Sequence, residues 1–480
     1  MNLGWIPEFP WSWTLLAGEW LVRLSMLVYI PQRRPAAAAR TWLLLIFLFP
    51  WGGLVIYLIV GRIQIPKRRR TLLEKLSRTI RDAASGLPPE VRTPVDQLPE
   101  AVANAARLAE RLTAFPMLSG NTVELLPEYA ASLDRLATDI QNAQNRVHLL
   151  YYIYGDDDVA DRVTIALEQA ARRGVQCRLL LDGIGSKQAL KTVAPRLRAV
   201  GVEVIEVLPV RFLRPRGTRV DIRNHRKVAV IDGRIGYVGS QNVVAPSFVP
   251  GFPNEELVAR VTGPIVAELE AVFWVDLLQE QEPAVDSSPS WGPIARTGEV
   301  FAQLIPSAPS YRQQTFAMLL VSLIHQSRRN VTITTPYFVP DEPFLAALRT
   351  AIERGVQVRL IVPLHSNRRL TVLAQSSHYE ELLEAGVEIH QYRTHFLHAK
   401  SLVIDDDLLI IGSSNMDIRS FAINAEVNLL IHDADVARQV RDLNQRHLDQ
   451  SDRLTLESWQ RRSLAARVAQ NTARLADSLL

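Results

Sequence analysis

The sequence predicts an α/β protein made of two pseudo-symmetric lobes, each a mixed sheet flanked by helices, behind an N-terminal transmembrane hairpin. Three observations predict it. One order of strands and helices occurs twice, at a spacing of about 180 residues, which is a domain duplication and far too long for a solenoid repeat. Apolar β-branched runs alternate with helical stretches, the pattern of βαβ units covered by helices. The first 61 residues hold two long apolar segments unlike anything that follows.

Taken in chain order, the N-terminus comes first. Residues 41–61 (TWLLLIFLFPWGGLVIYLIVG) carry no charge over 21 positions, enough for a helix to cross a hydrocarbon core of about 30 Å. Pro50, Gly52 and Gly53 are read as a kink within that helix, because such residues are tolerated in spanning segments. Residues 11–30 are nearly as apolar and are read as a second span in preference to an amphipathic helix lying in the interface; Glu19 and Arg23 stand i,i+4 and can pair on a helix. No basic region precedes the first segment, so the pair reads as a retained anchor, not a cleaved signal. Arg62 and the run Lys67-Arg-Arg-Arg70 follow the second segment and point to a cytoplasmic bulk, while Arg33, Arg34 and Arg40 in the intervening loop pull the other way.

A basic, alanine-rich stretch punctuated by Pro88, Pro89, Pro94 and Pro99 then reads as a helical linker. The repeat begins after it. A strand from Arg146 and a helix near 159–172 lead to Arg173-Gly-Val-Gln-Cys-Arg-Leu-Leu-Leu-Asp182. A strand from Asn330 and a helix near 342–353 lead to Arg354-Gly-Val-Gln-Val-Arg-Leu-Ile-Val-Pro363. The Pro- and Ser-rich stretch 280–293 is the expected join. The expected divisions are therefore 1–61 for the membrane segments, 62–117 for the linker and 118–280 for the first lobe. The interlobe linker is 281–298, the second lobe 299–450, and an amphipathic C-terminal helix 451–480.

The net charge of +4, from 54 basic and 50 acidic residues, is a mild excess whose location matters more than its size. Cys177 is the only cysteine, which excludes an intrachain disulfide and any multi-cysteine metal site.

The chemistry concentrates in two matching motifs. The first is His225-Arg-Lys227-Val-Ala-Val-Ile-Asp232, followed by Gly239-Ser240-Gln-Asn242. The second is His398-Ala-Lys400-Ser-Leu-Val-Ile-Asp405, followed by Gly412-Ser413-Ser-Asn415. On a strand, residues i and i+2 share a face, so each His projects with its Lys. Asp232-Gly233 is a hairpin signal that returns Ser240 and Asn242 to the His/Lys end, and 405–407 does the same in the second copy. Each cluster then holds an imidazole, an ammonium, a hydroxyl and an amide. One imidazole can attack phosphorus while another protonates the departing alkoxide, and Lys and Asn donors can stabilise the developing charge. No metal or cofactor is expected.

The signature H-x-K-x4-D-x6-G-[ST]-x-N resembles that of the phospholipase D superfamily. The whole layout is similar to the bacterial cardiolipin synthases within it: paired N-terminal segments, Thr335-Pro-Tyr-Phe-Val-Pro-Asp341, Gly412-Ser-Ser-Asn-Met-Asp-Ile-Arg-Ser420, and a C-terminal stretch with Trp459 and Arg462. The resemblance implies a phosphatidyltransferase of the inner membrane that moves a phosphatidyl group between two phosphatidylglycerols and releases glycerol. It implies His225 as nucleophile, His398 as general acid and then base, and Lys227, Lys400, Asn242 and Asn415 on the phosphate oxygens. Glu426 and either Glu255 or Glu256 match acids that orient the histidines, the following Leu-Val-Ala-Arg-Val favouring Glu256. Ser240 and Ser413 support or bind phosphate. Asp232 and Asp405 belong to the catalytic signature, yet their place at the turn ends of the strands suits scaffold hydrogen bonds.

Phosphatidylglycerol and membrane lipid are the expected partners, with room for a homo-oligomer. Nucleic acid is not expected: the superfamily also contains nucleases, but the basic cluster lies beside the membrane segment and aromatics are only 7% of the chain. A hydrolase, or a transferase to another alcohol, would use the same residues. Three features read as ordinary structure: Gly183-Ile-Gly-Ser-Lys187 as a strand-to-helix turn lacking phosphate-loop spacing, 156–158 as a helix start, and His148 and His395, which lack a Lys two residues on. Tyr337 and Phe338 line a lipid entrance or fill the core.

Overall fold

The computed structural model describes residues 11–34, 36–61, 67–209, 221–281, 294–311 and 314–475. One sheet of fifteen strands carries both halves, and its order is mirrored about the middle. From the centre outward the first half runs Leu118–Leu126, Val258–Thr262, Ile235–Gly239, Lys227–Ile231, Arg146–Tyr151, Gln176–Asp182 and Glu203–Val207. The second half repeats this as Val300–Ser307, Glu426–His432, Leu408–Gly412, Ser401–Ile404, Asn330–Thr334, Gln357–Pro363 and Glu388–Tyr392, with Ser451–Leu454 added at its edge. The halves meet where Leu118–Leu126 runs antiparallel to Val300–Ser307, Leu118 opposite Ala302.

In each half the outer three of these repeated strands are parallel and the motif strands antiparallel, because the former are joined by helices and the latter by tight turns. The repeated Arg-Gly-Val stops the first crossover helix in both copies: Gly174 and Gly355 adopt φ of +89° and +83°, the left-handed residue that closes a helix. Helix Ile265–Glu280 is apolar nearly all round and is buried accordingly, with Leu269, Val272 and Phe273 in a core cluster that also takes Val427, Leu429 and Ile431 from the other half. One core thus joins the two halves.

The N-terminal reading needs a correction. The stretch 41–61 is not one helix: helix Ala36–Leu48 ends, Phe49 takes φ −133° and ψ 77°, and a new helix Pro50–Ile56 begins, continued by a π-helical turn Tyr57–Gly61. Pro50 lacks an N–H and disfavours helical geometry at the residue before it, so it opens a new helix. Gly53 packs against the backbone of Ile46, where a Cβ would sit 2.9 Å from its Cα, so the chain bends back on itself. Among the described residues no helix is long and apolar enough to cross a membrane. Helix Trp11–Tyr29 does hold the expected Glu19–Arg23 pair, at 3.2 Å. These segments carry most of the large exposed apolar side chains, among them Trp13, Trp20, Leu21, Leu48, Phe49 and Trp51.

The stretch read as a linker is docked. Helix Lys67–Ser85 buries Leu73, Leu76 and Ile80 in the shared core, and Arg69 pairs with Glu280 at 2.7 Å. The basic run Lys67-Arg-Arg-Arg70 forms its first turn. Helix Glu100–Thr113 buries Val102, Ala105, Ala106 and Ala109. Arg62, most of the expected join (282–293) and residues 476–480 lie outside the described residues. Near the C-terminus, helix Leu464–Arg474 follows Trp459, whose ring is covered by Arg462 at 4.7 Å; Arg462 also pairs with Glu380 at 2.5 Å.

Candidate active site

The two motifs meet at the seam between the halves, and each is completed by the other half. His225 donates its backbone N–H to Ala425 O, and His398 donates its own to Glu255 O, both at 2.8 Å. The side chains cross in the same sense. His225 Nδ1 lies 3.0 Å from Glu426 Oε2, and His398 Nδ1 lies 2.7 Å from Glu256 Oε1. Glu256 is therefore the acid that the sequence left undecided. Glu255 points away, accepting from the Tyr392 hydroxyl at 2.6 Å and facing His447 Nε2 at 2.6 Å. His395, set aside from the sequence, joins that outer group at 3.4 Å from Glu255.

Both acids are buried, and Glu426 is held at both oxygens. Glu426 Oε2 accepts from Ser413 Oγ at 2.5 Å and Oε1 from Ser420 Oγ at 3.0 Å. Ser413 also accepts from Val427 N at 3.0 Å, and Ser240 makes the matching bond with Leu257 N at 2.9 Å. The two motif serines thus support the glutamates and strand junctions. The glycines before them are required by close approach: a Cβ at Gly239 would collide with Leu257 O, and one at Gly412 with Val427 O.

Lys227 and Lys400 sit beside their histidines, each histidine lying just before the motif strand, Lys227–Ile231 or Ser401–Ile404. Each ammonium is buried and donates to the carbonyl of its own histidine, at 2.5 Å and 2.6 Å. Asn242 Oδ1 accepts from Ile153 N at 3.0 Å, which leaves its amide hydrogens directed elsewhere. Asn415 lines a cavity of about 380 Å³ that also exposes His225, Tyr152 and Tyr337. The ring of Tyr152 lies 4.9 Å from that of His225 and 5.3 Å from Lys227 Nζ. On the other side His398 is walled by Phe248 at 5.3 Å and Phe396 at 5.6 Å. Tyr337 is thus at the cavity, whereas Phe338 is fully buried in the core of the second half.

Burial sets the protonation of this set. It pushes both imidazoles down to about 4, against the pull of the facing glutamate and helped by the adjacent lysine. Both are neutral near pH 7. Burial also lowers Lys227 to about 7 and Lys400 to about 8, despite the carboxylates opposite. It works to raise Glu256 and Glu426, yet the facing His and Lys more than offset it and hold both below the ordinary range. With Nδ1–H turned to the glutamate, the neutral His225 ring keeps its Nε2 lone pair free.

Asp232 and Asp405 lie outside this set and need a correction as catalytic residues. Five residues of strand, about 16 Å, separate each from its lysine. Asp232 accepts from the N–H groups of Gln144, Asn145 and Arg146 at 2.9, 2.7 and 2.9 Å. Asp405 repeats this with Arg328, Arg329 and Asn330 at 3.1, 2.8 and 3.1 Å. Each aspartate pins the loop that feeds the neighbouring strand. Asp232→Ala strands three backbone donors and is expected to cost about 1–3 kcal/mol. Thermal unfolding should show a lowered midpoint with near-normal turnover per folded molecule; lost turnover at an unchanged midpoint would refute the scaffold role.

The ordinary readings hold elsewhere. Asp182 accepts from Ile184 N and Gly185 N at 2.9 and 3.0 Å, so the glycine-rich turn spends its donors internally. Asp157 caps helix Asp158–Arg172, and His148 is buried against Phe273. What the sequence did not flag is the buried support of the seam: Arg226 donates to Asp276 at 2.5 Å and, from Nε, to Glu426 O at 3.0 Å. Nothing local marks such a residue.

Comparison with known proteins adds to this geometry. The domain described as cardiolipin synthase, PLD-like domain, matches residues 136–277 and 320–448, and the phospholipase D-nuclease N-terminal segment matches 21–62. Cardiolipin synthase A of Pectobacterium carotovorum subsp. carotovorum (strain PC1) is 32% identical over 468 residues, 96% of each chain. That of Proteus mirabilis (strain HI4320) is 31% identical over 476 residues, 97% of this chain and 96% of the relative. Among solved structures, phosphatidylserine synthase of Haemophilus influenzae Rd KW20 has the same fold, with a TM-score of 0.61 at 14% identity over 78% of this chain and 100% of that one.

Proposed function

The chain belongs to the cardiolipin synthase family of phospholipase D-like proteins, and from that premise we propose that it joins two phosphatidylglycerol molecules into cardiolipin with release of glycerol. The observation that carries the mechanism is the crossed pair of histidine–glutamate contacts at the seam between the halves. His225 Nε2 attacks the donor phosphorus, the bond from phosphorus to the glycerol oxygen breaks, and His398 gives its proton to that oxygen. A glycerol hydroxyl of the second lipid then loses its proton to His398 and attacks phosphorus, and the P–N bond breaks to free His225.

Burial leaves His398 neutral near pH 7, so its proton must arrive with substrate. The anionic phosphodiester offsets the charge of Lys227 and Lys400 and raises the imidazole. The same lysines, with Asn242 and Asn415, face the non-bridging oxygens through the transition state. The lobes are assigned to 118–280 and 299–450. The bent apolar segments before residue 61 are assigned to the bilayer as a hairpin, on the strength of their large exposed apolar surface. The basic run after residue 61 supports a cytoplasmic side for the catalytic lobes, against the pull of Arg33, Arg34 and Arg40.

Purified protein supplied with phosphatidylglycerol vesicles should release glycerol and form cardiolipin in equal amounts; release without cardiolipin would make it a hydrolase. In the same assay kcat/KM should fall on the alkaline side as the two ammonium groups discharge between about pH 7 and 8. An alkaline limb absent up to pH 10 would remove the lysines from phosphate binding.

A further inference from the structure

The proposed reaction brings two phosphodiesters to one site, and the two lysine ammonium groups serve only the one that reacts. The cavity beside His225 carries three further cations, Arg223, Arg368 and Arg419, against one carboxylate, Asp417, which burial pushes towards its neutral form. These arginines are not equivalent. Arg223 is buried and committed, donating to Leu208 O at 3.1 Å and Ile222 O at 2.6 Å and lying 3.3 Å from Asp182. Arg419 donates one N–H to Asp221 O at 2.6 Å, with the Asp221 carboxylate 4.0 Å away. Arg368 is exposed and stands just before helix Arg369–Ser377. It lines the cavity together with Tyr152 and Tyr337, one from each half, beside the Tyr337 hydroxyl and with its charge also acting on that of Tyr152.

Resting on the functional reading above, we propose that Arg368, assisted by Arg419, forms a second anion subsite that holds the phosphodiester of the acceptor lipid while its terminal hydroxyl reaches the adduct on His225. Three carbons of one glycerol separate that hydroxyl from its phosphate, so the second anion must lie within the same cavity as the first. A guanidinium fork suits such a phosphodiester, offering two parallel donors and a permanent charge. The subsite also separates a lipid acceptor from water and free glycerol, which have no anion to present. The catalytic groups make no such distinction, since every hydroxyl meets the same adduct.

The test compares two reactions of the intact membrane protein in vesicles of phosphatidylglycerol and phosphatidylcholine. One is cardiolipin formation; the other is exchange of labelled glycerol into phosphatidylglycerol, which uses the same donor and adduct with an acceptor lacking phosphate. Arg368→Gln should lower the ratio of cardiolipin formed to glycerol exchanged about tenfold, the scale of a lost charged hydrogen bond. Arg368→Lys should recover part of it. An unchanged ratio, whether both rates fall together or neither does, would overturn the subsite. Glycerol exchange by the wild-type chain with no cardiolipin formed would instead overturn the functional reading on which it rests.

Discussion

Replacing His225 with alanine should cut glycerol release from phosphatidylglycerol by at least about 10³-fold, because the imidazole that forms the adduct is gone. His398→Ala should be equally slow with this donor, whose alkoxide leaves only with a proton. The two variants part company on a phosphatidyl ester of p-nitrophenol, whose leaving group needs no acid. With it, His398→Ala should burst once and stall, gaining the mass of a phosphatidyl group on the peptide that carries His225. His225→Ala should give no burst. A label on His398, or steady turnover by the His225 variant, would reverse or remove the assigned roles.

Glu426→Gln and Glu256→Gln should each lower turnover by about 10²–10⁴-fold, and they should do so across the seam between the halves. Glu426 follows the second motif but holds the first histidine, so its loss should behave like a weakened His225, with a small p-nitrophenol burst. Glu256 follows the first motif but holds His398, so its loss should spare that burst and slow resolution of the adduct. Burst assays on both variants decide it. If each glutamate variant instead copied the defect of the histidine in its own half, the crossed contacts would carry no catalytic weight. A uniform loss with a lowered unfolding midpoint would mark the glutamates as structural.

Much of this site was legible before the fold was known. The two-residue spacing set His225 beside Lys227 and His398 beside Lys400, and the Asp-Gly turn returned Ser240 and Asn242 towards them, since each of these relations spans fewer than twenty residues of chain. The turn position of Asp232 and Asp405 likewise foretold a scaffold role against the letter of the motif, and their carboxylates do hold backbone amides. The apolar stretch at 41–61 was read as one helix because hydropathy has no direction. Whether Pro50 kinks or restarts a helix depends on what packs beside it, and here Gly53 lets the chain fold onto Ile46.

By itself, then, the sequence determined which candidate groups stand together and that there are two matched sets of them, because spacing along a short stretch of chain is local geometry. Only the tertiary structure decided which acid serves which histidine. His225 and Glu426 are 201 residues apart, and His398 and Glu256 are 142 apart. No periodicity reaches that far; the pairing follows from two mirrored halves of one sheet meeting edge to edge, which carries each glutamate past its own motif to the other.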